Sequence, residues 1–149
     1  MSVKNVRAED FAAVLKQDEE ARKKAIIRGV HLAIEASAEV IRNAAPEDLG
    51  NLKKSVRPVI QGDGGYVVVD APYAAAVELG SRPHWVPFAA LLPWCIRHSS
   101  PEEGPRFARA LQLKIAREGT KPTYFVRKTE PQRRRLLKAA VEQELKGVG

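Results

Sequence analysis

Across residues 8–44 the apolar positions recur at helical spacing. Ile26, Val30, Ile34, Ala38 and Ile41 lie three or four residues apart and make one stripe. Acids precede bases by one turn, giving the pairs Asp18–Arg22 and Glu20–Lys24. This spacing predicts a long helix, with Lys16–Asp18 as the place where it would break. Phe11, Val14 and Leu15 form a shorter amphipathic piece that folds back or reaches a neighbouring subunit, and residues 1–20 read as an N-terminal arm. The helix is expected to end at Ala44-Ala45-Pro46, because a residue before proline is pushed out of the helical region.

The period then changes. Gly50 marks a turn in an ordinary helix-to-strand loop, with Leu52 and Val56 anchoring it to the core. Val56 to Gln61 and Tyr66 to Asp70 read as two antiparallel strands joined by Gly62-Asp63-Gly64-Gly65, residues that a hairpin turn demands. Val67, Val68 and Val69 in succession predict a strand covered on both faces. Helices are expected from about Phe88 to His98, from about Arg106 to Glu118 with Gly119 stopping it, and from about Glu130 to Lys146. The last presents Leu136, Leu137, Ala140, Val141 and Leu145 as its apolar face. Residues 119–126 read as an extended strand that returns to the sheet edge. The fold class is α+β in one domain, 1–149: a long N-terminal helix, a small antiparallel sheet, a helical insertion over 84–118 and a C-terminal helix.

Composition narrows this picture. At 149 residues with 44% hydrophobic and 29% charged positions, the chain is neither a disordered tail nor a membrane protein. No window approaches the roughly 18 consecutive apolar residues of a spanning helix. Met1-Ser2-Val3-Lys4-Asn5 has no apolar segment of the signal-peptide kind, so assembly in a cytoplasm is expected. The net charge of +7 is uneven, with nine bases against three acids over residues 80–128. That half is where a polyanion would be met, and a basic nucleic-acid-binding module is therefore a competing reading.

Candidate chemistry is sparse. There is no Gly-rich phosphate loop, no His-Glu-x-x-His and no nucleophile elbow. Cys95 is single and sits in an apolar run, so it reads as a small core residue. His31, His84 and His98 are scattered, and His31 reads as structural. Glu78 with His84 and nearby arginines is the one hint of a small nuclease or toxin. Trp85 and Trp94 in the basic insertion suggest a helix-turn-helix, but the tight turn and a polar recognition helix are missing. Arg133, Arg134 and Arg135 cluster at the start of the last helix, where they would meet DNA phosphates or an acidic partner.

Three segments in order carry a resemblance. Ala45-Pro46-Glu47-Asp48-Leu49-Gly50-Asn51-Leu52-Lys53-Lys54-Ser55 is followed by Tyr73-Ala74-Ala75-Ala76-Val77-Glu78-Leu79-Gly80-Ser81, and then by Gly119-Thr120-Lys121-Pro122-Thr123-Tyr124-Phe125. Together they resemble the small tail-component proteins of long-tailed double-stranded DNA phages, the neck or tail-completion proteins. Two departures are Leu49, where threonine is common, and Val126-Arg127-Lys128, where a Leu-Arg-Pro run is common. The resemblance implies a structural virion subunit, a minor tail component assembled in the host cytoplasm. It would form a homo-oligomeric ring of six or twelve copies. Its partners would be the head connector or head-closure protein, the tail terminator or tail tube protein, and viral DNA passing through the channel without sequence readout. No catalytic residue, cofactor, metal or membrane partner comes with it. Tyr73, Glu78, Gly80, Arg82, Thr120, Pro122 and Phe125 are then expected to hold loop geometry or subunit contacts. Within one chain, Glu78 paired with Arg82 is the simpler expectation.

Overall fold

The computed structural model describes residues 8–148. The elements run α1 (Ala8–Ala44), α2 (Asn51–Lys54), β1 (Val56–Gln61), β2 (Gly64–Val69), α3 (Ala74–Leu79), α4 (Phe88–His98), α5 (Gly104–Glu118), a 3-10 turn (Arg127–Thr129) and α6 (Glu130–Lys146). The fold is α+β, with a long first helix, a two-stranded antiparallel sheet and a C-terminal helix, as the residue pattern implies. No helix among the described residues is long and apolar enough to cross a membrane.

The chain groups into two compact units. The first takes the chain through Ile41, Val56–Val68 and the part from Thr129 onward; the second takes Arg42–Ser55 and Val69–Lys128.

In the first unit, α1 is continuous, so the expected break at Lys16–Asp18 does not occur. The Asp18–Arg22 pair closes at 3.1 Å, but Glu20 and Lys24 do not pair. Of the expected amphipathic piece, Val14 and Leu15 are exposed; Phe11 lies outside the residues whose side chains are described. The buried line of α1 is Ala25, Gly29, Ala33, Ala38 and Ile41: the expected stripe holds at Ala38 and Ile41, but before them it rotates by one residue, with Ile26 exposed and Val30 and Ile34 half-buried. Small residues explain the rotation. A Cβ on Gly29 would stand 2.7 Å from the Val141 Cα, so α6 crosses α1 with its backbone against that glycine. Large side chains on that line would hold the helices apart. Arg28 Nε donates to Glu144 Oε2 at 2.9 Å beside the crossing.

Leu136, Ala140, Val141 and Leu145 are half-buried, whereas Leu137, expected on the same face, is 43% exposed. The hairpin lies against α1, with Ile34 beside Gly65 and the His31 Nε2 at 3.1 Å from the Gly62 carbonyl. Val67, Val68 and Val69 are each half-buried, so the strand is covered less completely than the run of valines suggests.

In the second unit, Gly50 in the left-handed conformation opens α2, where an ordinary loop was expected. Leu52 is buried there, and Val56, which opens β1 in the first unit, is buried as well. Helices α4 and α5 pack as a pair. Gly104 sits on Ile96, Trp94 meets Phe107 at 5.7 Å, and Cys95 and Ala108 are fully buried. The Ser99 hydroxyl donates to the Cys95 carbonyl at 2.7 Å, and the Glu103 N–H donates to Ser100 Oγ at 3.1 Å, which fixes the connection between them.

The Gly29 crossing yields a direct test. Gly29→Val inserts three carbons where α6 backbone already stands, and the variant is expected to lose about 1–3 kcal/mol of stability, the usual range for overpacking. Urea unfolding against wild type measures it; an unchanged midpoint would mean that α6 does not cross there.

Candidate functional site

The site is built where two of the motif segments meet within the second unit. Residues 73–81 form α3 and its exit, and residues 119–125 form the stretch after α5. Ser81 and Thr120 make an isolated antiparallel bridge, with N–H to carbonyl distances of 3.1 Å in both directions. Their hydroxyl oxygens lie 2.8 Å apart. Gly80 and Gly119 flank this bridge at φ 75° and 73°. A Cβ on Gly119 would sit 1.9 Å from the Ser81 carbonyl oxygen, and one on Gly80 would sit 2.4 Å from that of Thr120. Both the backbone conformation and the approach therefore require glycine.

Further along, the chain folds around one carboxylate. The N–H groups of Val126 and Arg127 donate to Glu78 Oε2 and Oε1 at 2.9 and 3.0 Å. The Thr123 and Tyr124 N–H groups donate to the Val77 and Glu78 carbonyls, each at 3.0 Å, and the Thr123 hydroxyl donates to Val77 O at 2.8 Å. Tyr124 has φ 53°, a left-handed value that a non-glycine residue adopts at a cost of about 1 kcal/mol or more. That reversal turns the chain so that the N–H groups of Val126 and Arg127 reach Glu78. Phe125 is 3% exposed and anchors the turn in the core.

Two expectations are corrected here. Residues 119–126 do not return to the sheet edge as a strand: Pro122 has no N–H for a ladder, and the reversal at Tyr124 ends the extended run after the one bridge. Glu78 is not paired with Arg82, because two backbone N–H groups already occupy its oxygens. Arg82 is exposed, and it is its carbonyl that is used, 2.8 Å from His84 Nδ1. The structure likewise does not join Glu78 to His84, whose ring faces the Arg82 carbonyl and the Ser81 hydroxyl. Pro122 packs on Gly80.

The first motif segment contributes a groove of about 350 Å³, walled by the 46–52 turn, Tyr73, Val77, Trp94 and His98. Tyr73 is half-exposed on this wall. At its rim Arg97 embraces Asp48: Nε donates to Oδ1 at 3.0 Å and Nη2 donates to Oδ2. These hydrogen bonds hold the Asp48 carboxyl below the ordinary carboxylate range, against a smaller opposing effect of burial. The His98 ring stacks on Trp94 at 4.1 Å. Burial pushes the Cys95 thiol up, away from the reactive thiolate. No group of histidine, cysteine and acidic residues among the described residues is placed to hold a metal ion.

Arg133, Arg134 and Arg135 belong to α6 in the first unit. Arg133 donates to the Thr129 hydroxyl at 3.0 Å, and Arg134 pairs with Glu130 one turn back. Some residues that matter went unnoticed in the sequence. Gln112 is buried, donating to the Val86 carbonyl at 2.7 Å and accepting from Arg109 at 3.0 Å. A polar residue between Ala108 and Ile115 on one helical face was the available signal. Asp48 and Arg97, 49 positions apart, gave none.

Comparison with protein-family models, with curated proteins and with solved structures returns no match to this chain.

Two measurements check this geometry. Glu78→Gln keeps the shape but turns an N–H donor toward an N–H group, so a loss of about 1–3 kcal/mol is expected in urea unfolding; wild-type stability would show that the carboxylate does not hold the turn. For Asp48 the lowered folded value means that stability is present above its ordinary value of 3.8 and lost as pH falls through the folded value. The Tm gap between wild type and Asp48→Asn is therefore expected at neutral pH and should close in acid below that value. A gap that stays constant with pH would count against the ion pair.

Proposed function

We propose that this chain is a structural subunit of the phage head–tail junction, a neck or tail-completion protein that works as a homo-oligomeric ring. The observation that carries the proposal is the lock between residues 73–81 and 119–127. The segments behind the resemblance are spent on holding each other through the Ser81–Thr120 bridge and the Glu78 carboxylate. The Glu78 carboxylate and the Thr123 hydroxyl bond backbone, and the Ser81 and Thr120 hydroxyls meet each other, which suits a rigid assembly subunit. Beside the lock, Leu79 is 67% and Trp85 is 62% exposed. Large apolar side chains left in water next to a fixed loop favour a surface that another protein covers.

In this reading the ring joins the head connector or head-closure protein to the tail terminator or tail tube. The excess of bases over residues 80–128 balances passing phosphates without reading sequence. The work is mechanical, and the side chains at the lock are positioning residues.

Mass in solution combined with particle imaging of the same sample tests the proposal. Discrete rings are expected, alone or once a head connector or tail tube is added. A monomer that ignores both, yet binds duplex DNA with affinity falling steeply with salt, would overturn the neck reading. It would favour a basic nucleic-acid-binding module, with a slope of about −0.9 per phosphate contact.

A further inference from the structure

Two surfaces of the first unit remain after its own packing is accounted for, and their chemistries are complementary. One is the N-terminal half of α1. Leu15, Glu19, Arg22 and Ile26 follow one another at helical spacing and share a face. On the C-terminal half the same face continues as Val30, Ala33 and Ser37, where the hairpin and α6 lie alongside it. On the N-terminal half Leu15 is 53% and Ile26 is 42% exposed. Together with Asp63 at the hairpin tip, this half forms a hollow of about 760 Å³. Four acids line it, Asp18, Glu19, Glu20 and Asp63, against two bases, Arg22 and Lys23. Asp18 is paired with Arg22, whereas Glu19 and Glu20 enter no ion pair among the described residues.

The other surface is on α6, where Arg134 and Leu137 wall an open cleft of about 510 Å³ beside Val30, Ala33 and Ile34 of α1. Arg134, Leu137 and Lys138 stand at i, i+3 and i+4, with the side chains of Arg134 and Lys138 each 78% exposed. Their partners within the chain, Glu130 and Glu142, are one turn away, in solvent-facing pairs that cost little to exchange. Leu137 is 43% exposed at this cleft, an apolar side chain still open to solvent.

We propose that the hollow on α1 receives this face of α6 from a second copy of the chain. Leu137 enters between Leu15 and Ile26, while Arg134 and Lys138 meet Glu19 and Glu20. Charge decides between occupants. A nucleic acid would accept the cations of α6 but would be repelled by the hollow and leave its apolar residues in water. A second copy satisfies both surfaces at once. In the proposed arrangement each copy gives α6 to one neighbour and receives it from another, which is a heterologous contact. Such a contact closes into a ring or propagates as a filament. The inference rests on the ring reading for its purpose, but not for its chemistry.

Sedimentation velocity on the full chain, with two exposed double variants, tests this. Glu19→Lys with Glu20→Lys reverses the hollow, and Arg134→Glu with Lys138→Glu reverses the α6 face; far-UV circular dichroism checks that both remain helical. Wild type is expected to self-associate, and each variant to do so at least about tenfold more weakly. An equimolar mixture of the two should associate again, since the reversed faces now complement each other as the native ones do. Wild type that stays monomeric at high concentration, variants that assemble unchanged, or a mixture that stays dissociated would each overturn the contact. Rings that survive both reversals would do so while leaving the neck reading intact. Assemblies that respond as expected but bind no connector or tail tube would overturn the neck reading and leave the contact standing.

Discussion

The carboxylate of Glu78 governs the second unit. It sits at the end of a six-residue helix and accepts two consecutive N–H groups from a chain almost fifty positions later. Hydrogen bonds to a charged acceptor are stronger than neutral ones, so the turn after Tyr124 and the placement of Glu78 support each other. The bridge at Ser81 and Thr120 sets the register of this meeting, and Gly80 and Gly119 permit the approach. Phe125 then fills the core below the turn, which converts a local hydrogen-bond pattern into a fixed wall of the unit.

A different economy holds the first unit. Its long helix buries alanines and a glycine more than large side chains, which lets α6 lie close. Close backbone packing buries little apolar area per residue, and the consequence is visible on the surface: Leu15, Ile26 and Leu137 are left exposed. A chain stabilised in this way leaves apolar surface for association. The acid-rich hollow and the cationic α6 face supply orientation, because charges across a contact fix register and reject wrong partners.

Taken together, these features describe a protein whose polar residues are used for shape. Asp48 is held by Arg97, Gln112 by Val86 and Arg109, and Glu78 by backbone, and each joins segments distant in sequence. For the proposed assembly role such rigidity is an advantage, since an interface ordered in advance loses less entropy on docking.

Helix existence and hairpin placement were legible in the sequence, because they follow from period: Ile26 to Ile41 at helical spacing, Gly62-Asp63-Gly64-Gly65 between two apolar runs (although the second strand begins at Gly64 rather than Tyr66), Gly119 after a helix. Residues 73–81 stood out through Gly80 and a lone acid in an apolar run, and residues 119–125 through the resemblance. What joins them was not. Periodicity reports which face of an element is apolar, but not which distant backbone will approach it. Hence the buried line of α1 keeps Ala38 and Ile41 but runs through Ala25, Gly29 and Ala33 in place of Ile26, Val30 and Ile34, and Leu137 is more exposed than its expected core face implies. The same limit turned a predicted strand into a single bridge and a predicted Glu78–Arg82 pair into a carboxylate that holds two N–H groups. Spacing along the chain determined the elements; only tertiary contact, through sterics and the demand of buried donors for acceptors, decided their partners.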